Sequence, residues 1–242
     1  MEFLAFQHVP HEPPGLIADS VRKLGHGLEV VEFWKPNPRI PDIRNYQGLI
    51  IMGGPMGVYE GPDKFPSKDA EVETIKKAHE KIPIIGFCLG SQLISYAFGG
   101  SVEKNIINGS HVKEVGFYKV ELTPEAEEDP ILKGFPNPMT VFQWHGDRFS
   151  IPEHGVLQAT NQYCVNQAFK IGDSTYGFLF HFEFRPDMVN RLIEADRDWM
   201  HRDHEVDEAK LMDETRKNEP LMREQCDKLF ENFTTLAQKM QR

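Results

Sequence analysis

One short segment, residues 82–100, restricts the fold of this chain more than any other. The stretch IPIIGF is apolar, as expected of a buried strand, and it runs directly into Gly-Phe-Cys-Leu-Gly at residues 86–90. A helix is expected to follow over about residues 91–98, with Gly99 at its end. The glycines would let the backbone turn sharply and present the side chain of Cys88 at the carboxyl end of the strand. The N–H groups of the helix would then lower the pKa of the thiol and stabilise the thiolate.

The interpretation of Cys88 as a nucleophile competes with a structural one, because a buried cysteine also suits a tight strand–helix connection. A nucleophilic thiolate requires a base, and the stretch GFLFHFEF, residues 177–184, supplies one. If the stretch is a strand, its four phenylalanines point into the core while His181 and Glu183 share the opposite face. The carboxylate can fix the tautomer of the imidazole and stabilise its charged form. The three residues are therefore a candidate triad, although an exposed polar strand face would show the same pattern.

Acyl chemistry also requires backbone N–H groups aimed at the oxygen that becomes negatively charged. The apolar stretch over residues 48–52 leads straight into Gly53-Gly54-Pro55, where glycines let the backbone approach a ligand closely. A second N–H would come from Leu89, the residue after the cysteine. A plain strand-to-helix turn is the alternative. A phosphate-binding loop is excluded, because no Gly-Lys-Ser/Thr sequence follows.

The rest of the chain alternates between apolar runs and helical stretches, which favours an α/β fold with a mostly parallel sheet covered on both faces. Residues 112–180 carry short alternating runs that indicate an antiparallel extension of the sheet. From Pro186 the chain is helical, and Pro220 is expected to begin a second tail helix. We therefore predict a three-layer domain over residues 1–185 and a helical C-terminal tail, residues 186–242, packed on the same domain. The expected elements are strands at 2–7, 28–34, 46–54 and 82–87, and helices at 16–25, 67–81 (with Ser67 as N-cap) and 91–98.

Charge and cysteine content limit the partners of this chain. The formal net charge is -10, which argues against nucleic-acid and anionic-membrane partners because both require a basic surface. The N-terminal stretch MEFLAFQHVP lacks a basic segment followed by an apolar one, and no window approaches about 18 apolar residues. Neither a signal peptide nor a membrane span is therefore predicted. The 3 cysteines form no CxxC motif, which fits a reducing compartment, and we expect a cytoplasmic protein.

Five motifs together carry a family resemblance. The segments GGPMGVYE, PIIGFCLGSQL, KEVGF, FQWHGDRF and FLFHFE occur in the order and spacing of the class I glutamine amidotransferases, the Cys-His-Glu glutaminases. The chain resembles this family over residues 1–185, and it looks closest to the stand-alone members related to the glutaminase domain of GMP synthase. The resemblance implies the flavodoxin-like three-layer fold of these glutaminases and an enzyme that uses no cofactor and no metal.

The resemblance also implies a role for each matching residue. Cys88 would attack the side-chain amide carbon of glutamine, His181 would act as base and then protonate the departing ammonia, and Glu183 would orient His181. The γ-glutamyl thioester would be hydrolysed to glutamate, and the ammonia would pass to an acceptor on another subunit. The remaining family positions are the oxyanion-hole donors, which are the N–H groups of Gly54 and Leu89, and the substrate contacts Gln92, His145 and Asp147.

Two departures from the family pattern matter. Many members read His-Pro-Glu, whereas this chain has Phe182 in the middle position, which keeps the alternating pattern. The ATP-pyrophosphatase domain of a complete GMP synthase has no counterpart, and the residues after Arg185 are too few to form one. An acceptor would therefore belong to a separate synthase subunit. Without such a subunit, the protein would be a γ-glutamyl peptidase or amidase that acts on a γ-glutamyl small molecule.

Two other functions fit parts of the sequence. A dienelactone-hydrolase-like α/β-hydrolase would use Cys88, Asp147 and His181 in that chain order, and it would leave Glu183 unused. A catalytically weak binding protein could keep the same pocket and wait for a partner. Activity on glutamine amides rather than on lactones would separate a glutaminase from the α/β-hydrolase.

The tail and the other histidines carry weaker patterns. Apolar residues recur at helical spacing in the tail, which favours helices packed on the domain but could also provide a homodimer face or a synthase-docking face. A metal site is not predicted, because His201 and His204 have no evident third ligand. The apolar tail positions are Leu221, Leu229, Phe233 and Leu236.

Overall fold

The computed structural model describes residues 1–202 and 205–241, and these residues have the predicted α/β architecture. They contain thirteen strands and six helices, with a short 3-10 turn at Ile43–Asn45. The strands are β1 (Glu2–Gln7), β2 (Gly27–Glu32), β3 (Leu49–Ile51), β4 (Ile84–Phe87), β5 (Val102–Lys104), β6 (Ile106–Ile107), β7 (Ser110–His111), β8 (Glu114–Leu122), β9 (Met139–His145), β10 (Asp147–Phe149), β11 (Gly155–Thr160), β12 (Ala168–Ile171) and β13 (Thr175–Phe178). The helices are α1 (Gly15–Lys23), α2 (Lys68–Ala78), α3 (Leu89–Ala97), α4 (Pro124–Glu127), α5 (Pro186–His201) and α6 (Glu208–Met240).

Nine strands form one central sheet in the order β2-β1-β3-β4-β13-β12-β11-β8-β9. The pairs from β2 to β13 are parallel and the pairs from β13 to β9 are antiparallel, so seven of the nine strands run in the same direction. The uninterrupted apolar runs of β3 and β4 suit the parallel half, which is buried on both faces. The mostly parallel sheet and its antiparallel extension are therefore confirmed. The remaining strands form two small ribbons, β5 with β10 and β6 with β7.

The register of the parallel strands aligns their carboxyl ends. Ile51 of β3 pairs with Gly86 of β4, and Phe178 of β13 pairs with Phe87 of β4. The residues that follow these three strands therefore emerge side by side, together with those that follow β1 on the other side of β3. This edge is where open α/β sheets bind their ligands.

Alternate side chains of the central strands fill two separate cores. Phe3 and Ala5 of β1 pack on the face that carries α1, α5 and α6, whereas Leu4 and Phe6 pack on the face that carries α2 and α3. Because side chains alternate along a strand, a single strand contributes to both cores. The predicted three-layer arrangement of helix, sheet and helix is confirmed.

The C-terminal helices lie on the same face as α1. Helix α5 is kinked at Asp196, where φ is -113° and ψ is 16°. Helix α6 runs without a break through Pro220, so the prediction that a second tail helix begins there is wrong. Buried side chains lie on both sides of that residue, Leu211 before it and Met222 after it, and this packing outweighs the loss of one backbone hydrogen bond. Neither α6 nor any other helix of the described residues is both long and apolar enough to cross a bilayer.

Two local predictions need correction. Ser67 stands at the N-cap position of α2, but its side chain makes no capping hydrogen bond and its backbone is already helical, with φ -84° and ψ -14°. The strand expected over residues 177–184 ends at Phe178, and beyond that point His181 keeps one isolated bridge to Phe142.

Candidate active site

Cys88 occupies the sharp turn between β4 and α3. Its backbone has φ 48° and ψ -109°, a combination that residues with a side chain rarely adopt. A Cβ atom on Gly90 would overlap the carbonyl oxygen of Ile51, and one on Gly86 would lie 2.5 Å from the carbonyl carbon of Gly90. Both positions require glycine, because β3, β4 and the first turn of α3 are in direct backbone contact. The turn has the geometry that the Gly-x-Cys-x-Gly spacing predicts.

The Cys88 thiol is buried among three polar groups. It donates to the carbonyl oxygen of Trp144, with a distance of 3.7 Å from Sγ to the oxygen. Burial raises the pKa of the thiol, and this effect outweighs the lowering by the imidazole of His181 and by the N–H of Leu89. The prediction that the helix N-terminus lowers the pKa of the thiol is therefore wrong. Desolvation destabilises the thiolate more than its contacts with His181 and Leu89 stabilise it. A thiolate in this pocket therefore requires the positive charge of His181 beside it.

His181 and Glu183 form a buried pair beside the thiol. Nδ1 of His181 lies 2.7 Å from Oε1 of Glu183, and the other carboxylate oxygen accepts the N–H of Phe182 at 3.0 Å. Burial lowers the pKa of His181, but the Glu183 carboxylate and Cys88 raise it, and the net result is a pKa of about 10. Because Nδ1 is held by the carboxylate, Nε2 is the nitrogen left to exchange a proton with the thiol. The structure thus brings the three predicted triad residues together.

The segment over residues 178–184 keeps the predicted alternation although it is not a regular strand. Its four phenylalanines join the core on the α1 side of the sheet, and Leu179 joins the core on the other side. His181 and Glu183 are buried as well, so the alternative of an exposed polar strand face is wrong. The backbone N–H of His181 donates to the carbonyl oxygen of Phe142 at 2.9 Å, which attaches the segment to β9.

The two residues whose N–H groups the resemblance implies as donors, Gly54 and Leu89, both belong to the surroundings of the thiol. Gly54 lines the same cavity as Cys88, and the N–H of Leu89 is directed at the Cys88 sulfur. A Cβ atom on Gly54 would lie 2.9 Å from Cδ2 of Leu89 and 2.9 Å from Cβ of His8. The backbone at residue 54 is therefore packed against the start of α3.

The three residues predicted to contact substrate, Gln92, His145 and Asp147, all line the cavity that contains Cys88. His145 is held from behind, because its Nε2 lies 3.1 Å from Oε2 of the buried Glu114 and its Nδ1 lies 3.2 Å from the backbone oxygen of Asp147. The imidazole is therefore fixed at the cavity wall by contacts at both of its ring nitrogens.

The dienelactone-hydrolase-like arrangement does not fit this geometry. It requires the carboxylate of Asp147 to orient His181, but Asp147 accepts the hydroxyl of Tyr59 at 2.9 Å. Nδ1 of His181 is bonded to Glu183 instead. The carboxylate that acts on the imidazole is thus the one predicted by the glutaminase resemblance.

Two carboxylic acids of the cavity are absent from the sequence-based predictions. Glu12 follows β1 in a Pro-rich loop, and Asp196 stands at the kink of α5. Asp196 accepts the indole N–H of Trp144 at 3.1 Å, whereas the Glu12 carboxyl group makes no hydrogen bond within the described residues. Burial, and then the charges of Asp196 and Glu183, raise the pKa of Glu12 to about 8. The place of Glu12 in the loop after β1, a strand of the parallel half, is the one sequence feature that could have indicated it.

The C-terminal tail supplies one wall of this cavity, whose volume is about 590 Å³. Trp199 and Arg202 line it, and Nζ of Lys113 donates to the backbone oxygen of Trp199 at 2.5 Å and lies 4.8 Å from the centre of its ring. A larger groove, of about 1060 Å³, runs between the loop before β3 and α2, but it contains none of the predicted site residues. The chemistry of the side chains therefore locates the candidate active site in the smaller cavity.

Replacing Glu12 with glutamine should stabilise the protein at alkaline pH. The pKa of Glu12 rises from 4.5 to about 8 in the pocket, so the folded state holds a proton that the unfolded state has lost. The contribution of the protonated Glu12 carboxyl group to the free energy of unfolding is therefore complete below about pH 4.5, and it is lost as the pH rises through about 8. In urea unfolding at about pH 9, we expect Glu12→Gln to be more stable than the wild type by on the order of 3 kcal/mol, with little difference at about pH 5.

Glu60→Gln is the matched control for this experiment. Glu60 lines the same cavity, but its pKa is lowered, chiefly by a hydrogen bond from Lys64. The Glu60 variant should therefore gain no stability at alkaline pH. Equal stability of the wild type and Glu12→Gln at both pH values would contradict a raised pKa at Glu12.

Within the described residues, no three His, Cys, Asp or Glu side chains are arranged to hold a metal ion. His201 bonds Oε1 of Glu208 through its Nε2 at 3.1 Å. His204, the other histidine considered as a ligand, lies outside the described residues.

Comparison with known proteins relates the chain to one family. The sequence matches the family described as glutamine amidotransferase class-I over residues 15–196. A glutamine amidotransferase-like protein of Salmonella typhimurium, YfeJ, is 32% identical over 157 residues, which make up 64% of each chain. One subunit of the glutamine-hydrolysing GMP synthase of Saccharolobus solfataricus is 30% identical over 172 residues, or 70% of this chain and 83% of that one. The crystal structure of a glutamine amidotransferase from Thermotoga maritima superposes with a TM-score of 0.85 at 27% identity, covering 96% of this chain and 97% of that chain.

The chain covers only part of several of these relatives. It spans less than two thirds of YfeJ, and it spans 29% and 30% of two whole glutamine-hydrolysing GMP synthases that it also matches.

Proposed function

We propose a function that starts from one premise: the chain belongs to the class-I glutamine amidotransferase family. On this premise, it hydrolyses the side-chain amide of glutamine through a γ-glutamyl thioester on Cys88. The observation that carries this proposal is the buried contact of 2.7 Å between His181 and Glu183, beside the thiol at the strand–helix turn. A thiol next to an imidazole whose tautomer is fixed by a carboxylate is suited to nucleophilic catalysis.

The reaction proceeds in two halves. His181 removes the thiol proton, and the Cys88 sulfur attacks the amide carbon, whose oxygen becomes negative and is bound by the N–H groups of Gly54 and Leu89. The intermediate collapses when His181 gives its proton to the departing ammonia, which leaves the thioester. A water molecule, deprotonated by His181, then attacks the thioester and releases glutamate. Glu183 holds Nδ1 throughout, so that Nε2 faces each proton transfer.

The fate of the leaving group distinguishes two candidate functions. As an amidotransferase subunit, the chain passes ammonia to an acceptor on another subunit, by analogy with the relative named as a GMP synthase subunit. As a γ-glutamyl peptidase or amidase, it cleaves γ-glutamyl compounds with a larger leaving group. The cavity favours this second function, because its volume of about 590 Å³ suits ligands larger than glutamine. Trp199 and Arg202 add side chains from the tail that a larger leaving group can contact.

Glutamate release by the purified protein tests both functions. Glutamine and a series of γ-glutamyl amides and γ-glutamyl dipeptides are supplied to the wild type, and glutamate and ammonia are measured separately. We expect glutamate from both classes of substrate, with a higher kcat/KM for the γ-glutamyl dipeptides because the wall formed by α5 contacts their leaving group.

Trp199→Ala is the matched variant for the larger substrates. It should lower kcat/KM for γ-glutamyl dipeptides by about tenfold and change the value for glutamine much less. A higher kcat/KM for glutamine than for every γ-glutamyl compound would contradict the second function. The supply of ammonia to an acceptor would then be the remaining function. Absence of glutamate from every substrate, with Cys88 still reactive towards iodoacetamide, would contradict the proposal as a whole.

A further inference from the structure

The peptide between Gly53 and Gly54, which carries one of the proposed oxyanion donors, is held by two buried side chains. Nδ1 of His8 lies 2.8 Å from the carbonyl oxygen of Gly53, and Nε2 of His8 lies 2.9 Å from Oε2 of Glu71. Both side chains are fully buried. We propose that His8 and Glu71 are positioning residues, which fix this peptide so that the oxyanion hole is formed in advance and needs no partner subunit.

The direction of the Gly54 N–H follows from the geometry of the peptide. The Gly53–Gly54 bond is trans, and a trans peptide directs its carbonyl oxygen and its N–H in opposite directions. Because the Gly53 oxygen is bound to His8, the Gly54 N–H points away from that buried ring. Gly54 borders the cavity that contains Cys88, and the inference places its N–H on the cavity side of the peptide. A peptide between two glycines meets little steric resistance to rotation and requires such a contact to keep one orientation.

The two contacts of His8 also decide where its protons lie. Both partners are oxygen acceptors, and a neutral imidazole has only one N–H to donate. Both contacts become hydrogen bonds when His8 and Glu71 together hold one proton more than a neutral imidazole and a carboxylate. This proton lies either on the imidazole, opposite an ionised Glu71, or on Glu71 itself. In both states Nδ1–H donates to the Gly53 oxygen. Burial lowers the pKa of His8, but Glu71 and the Gly53 carbonyl raise it above the ordinary value, which agrees with a charged imidazole.

Aromatic packing keeps His8 in place. Its ring stacks on Phe33 at a centroid distance of 5.8 Å and meets Phe65 edge to face at 5.8 Å. Glu71 belongs to α2, which packs against the sheet next to α3. The contacts that hold the peptide therefore come from the folded core of this chain. The inference rests on the proposed function, and it adds that this chain alone hydrolyses γ-glutamyl amides.

Two variants of His8 separate positioning from a purely structural role. The amide nitrogen of asparagine lies close to where Nδ1 of histidine would be, whereas that of glutamine lies close to Nε2. His8→Asn therefore keeps the donor to Gly53, and His8→Gln keeps the contact with Glu71. We expect His8→Asn to retain kcat to within about tenfold, and His8→Gln to lose about 10²-fold with a nearly unchanged KM, as on removal of one oxyanion donor.

An aldehyde analogue of glutamine, with CHO in place of the side-chain amide and an acetyl group on the α-nitrogen to prevent cyclisation to the imine, measures the same effect without turnover. The Cys88 sulfur adds to the aldehyde carbon and the thiol proton moves to the aldehyde oxygen, which the two N–H donors then bind. The dissociation constant is obtained from the protection of Cys88 against iodoacetamide. His8→Gln should weaken this protection by about 10²-fold, without a matching change in the rate of alkylation when the aldehyde is absent.

Equal kcat and equal protection in the two His8 variants would overturn the inference. It would also be overturned by a wild type that releases glutamate only after the ATP-pyrophosphatase subunit of a GMP synthase is added. Failure of the proposed function gives a different pattern, in which the wild type hydrolyses no γ-glutamyl compound while the aldehyde still protects Cys88 and His8→Gln still weakens the protection.

A second pair of variants keeps the test decisive if thermal unfolding shows that His8→Gln does not fold. In Glu71→Gln the new amide can donate to Nε2, so Nδ1–H remains on the Gly53 oxygen and kcat should be retained. In Glu71→Leu the tautomer is no longer fixed, and kcat should fall while KM changes little. Equal kcat in these two variants would again overturn the inference.

Discussion

Cys88→Ala should release no measurable glutamate, with kcat at least about 10⁴-fold below that of the wild type. Alanine removes the only group in the proposed mechanism that can form the thioester. The other two cysteines are buried away from the cavity, and burial raises the pKa of Cys164 to about 12 and raises that of Cys226 as well. Neither forms a thiolate near neutral pH, so neither replaces the nucleophile. Glutamate formation is followed over hours at high enzyme concentration to detect a small residual rate.

Cys164→Ser is the matched control for the loss of a thiol. It should keep the kcat of the wild type, because Cys164 does not line the cavity. Mass spectrometry of the wild type, quenched during turnover, should find the γ-glutamyl group on Cys88. A Cys88→Ala variant that keeps more than about 1% of the wild-type kcat would refute the thioester and favour direct attack by water.

Glu183→Gln should lower kcat by about 10²- to 10⁴-fold. The carboxylate accepts Nδ1–H of His181 at 2.7 Å through one oxygen and the N–H of Phe182 at 3.0 Å through the other. An amide has a single oxygen, so one of these N–H groups would face an NH₂ group. The variant also loses the negative charge that raises the pKa of His181 to about 10. Because activity requires loss of a proton from His181 or Cys88, the acid limb of the kcat/KM profile should move to lower pH.

Asp147→Asn is the control for the change of charge in this second experiment. Asp147 lines the same cavity but does not touch His181, so its amide variant should raise KM and leave the acid limb in place. The profiles of the three proteins are compared between about pH 6 and 10. An unmoved acid limb in Glu183→Gln, or an equal movement in Asp147→Asn, would show that Glu183 does not set the pKa of His181.

Each half of the triad can be predicted from the sequence because its own geometry is local, whereas the meeting of the two halves depends on the pairing of β4 with β13. The glycines around Cys88 require a tight turn, and the alternation of His181 and Glu183 persists after β13 ends because the four phenylalanines still enter one core. The end of the strand itself is not predictable from this stretch. It depends on β9, a distant part of the chain, which reaches the segment through Phe142.

Residues that no local motif marks could not be predicted from the sequence. His8 and Glu12 form no motif, and they reach the backbone at Gly53 only because β1 lies beside β3 in the sheet. Glu71 is one charged residue among several in α2, and its sequence neighbours do not show that it is the charged residue that is completely buried. For the same reason, the continuation of α6 through Pro220 could not be foreseen, since it depends on packing against the rest of the domain.

The contact between Gly90 and the carbonyl oxygen of Ile51 bears on how such an enzyme could acquire new substrates. A side chain at residue 90 does not fit between β3 and α3, so this position requires glycine and the nucleophile is held directly against the strand before the Gly54 donor. Trp199 and Arg202 lie outside this contact, beyond the kink of α5, and they carry side chains that can be exchanged. Laboratory evolution towards a new amide substrate should therefore randomise the end of α5. Substrate specificity can change there while Cys88, His181 and Glu183 keep their positions.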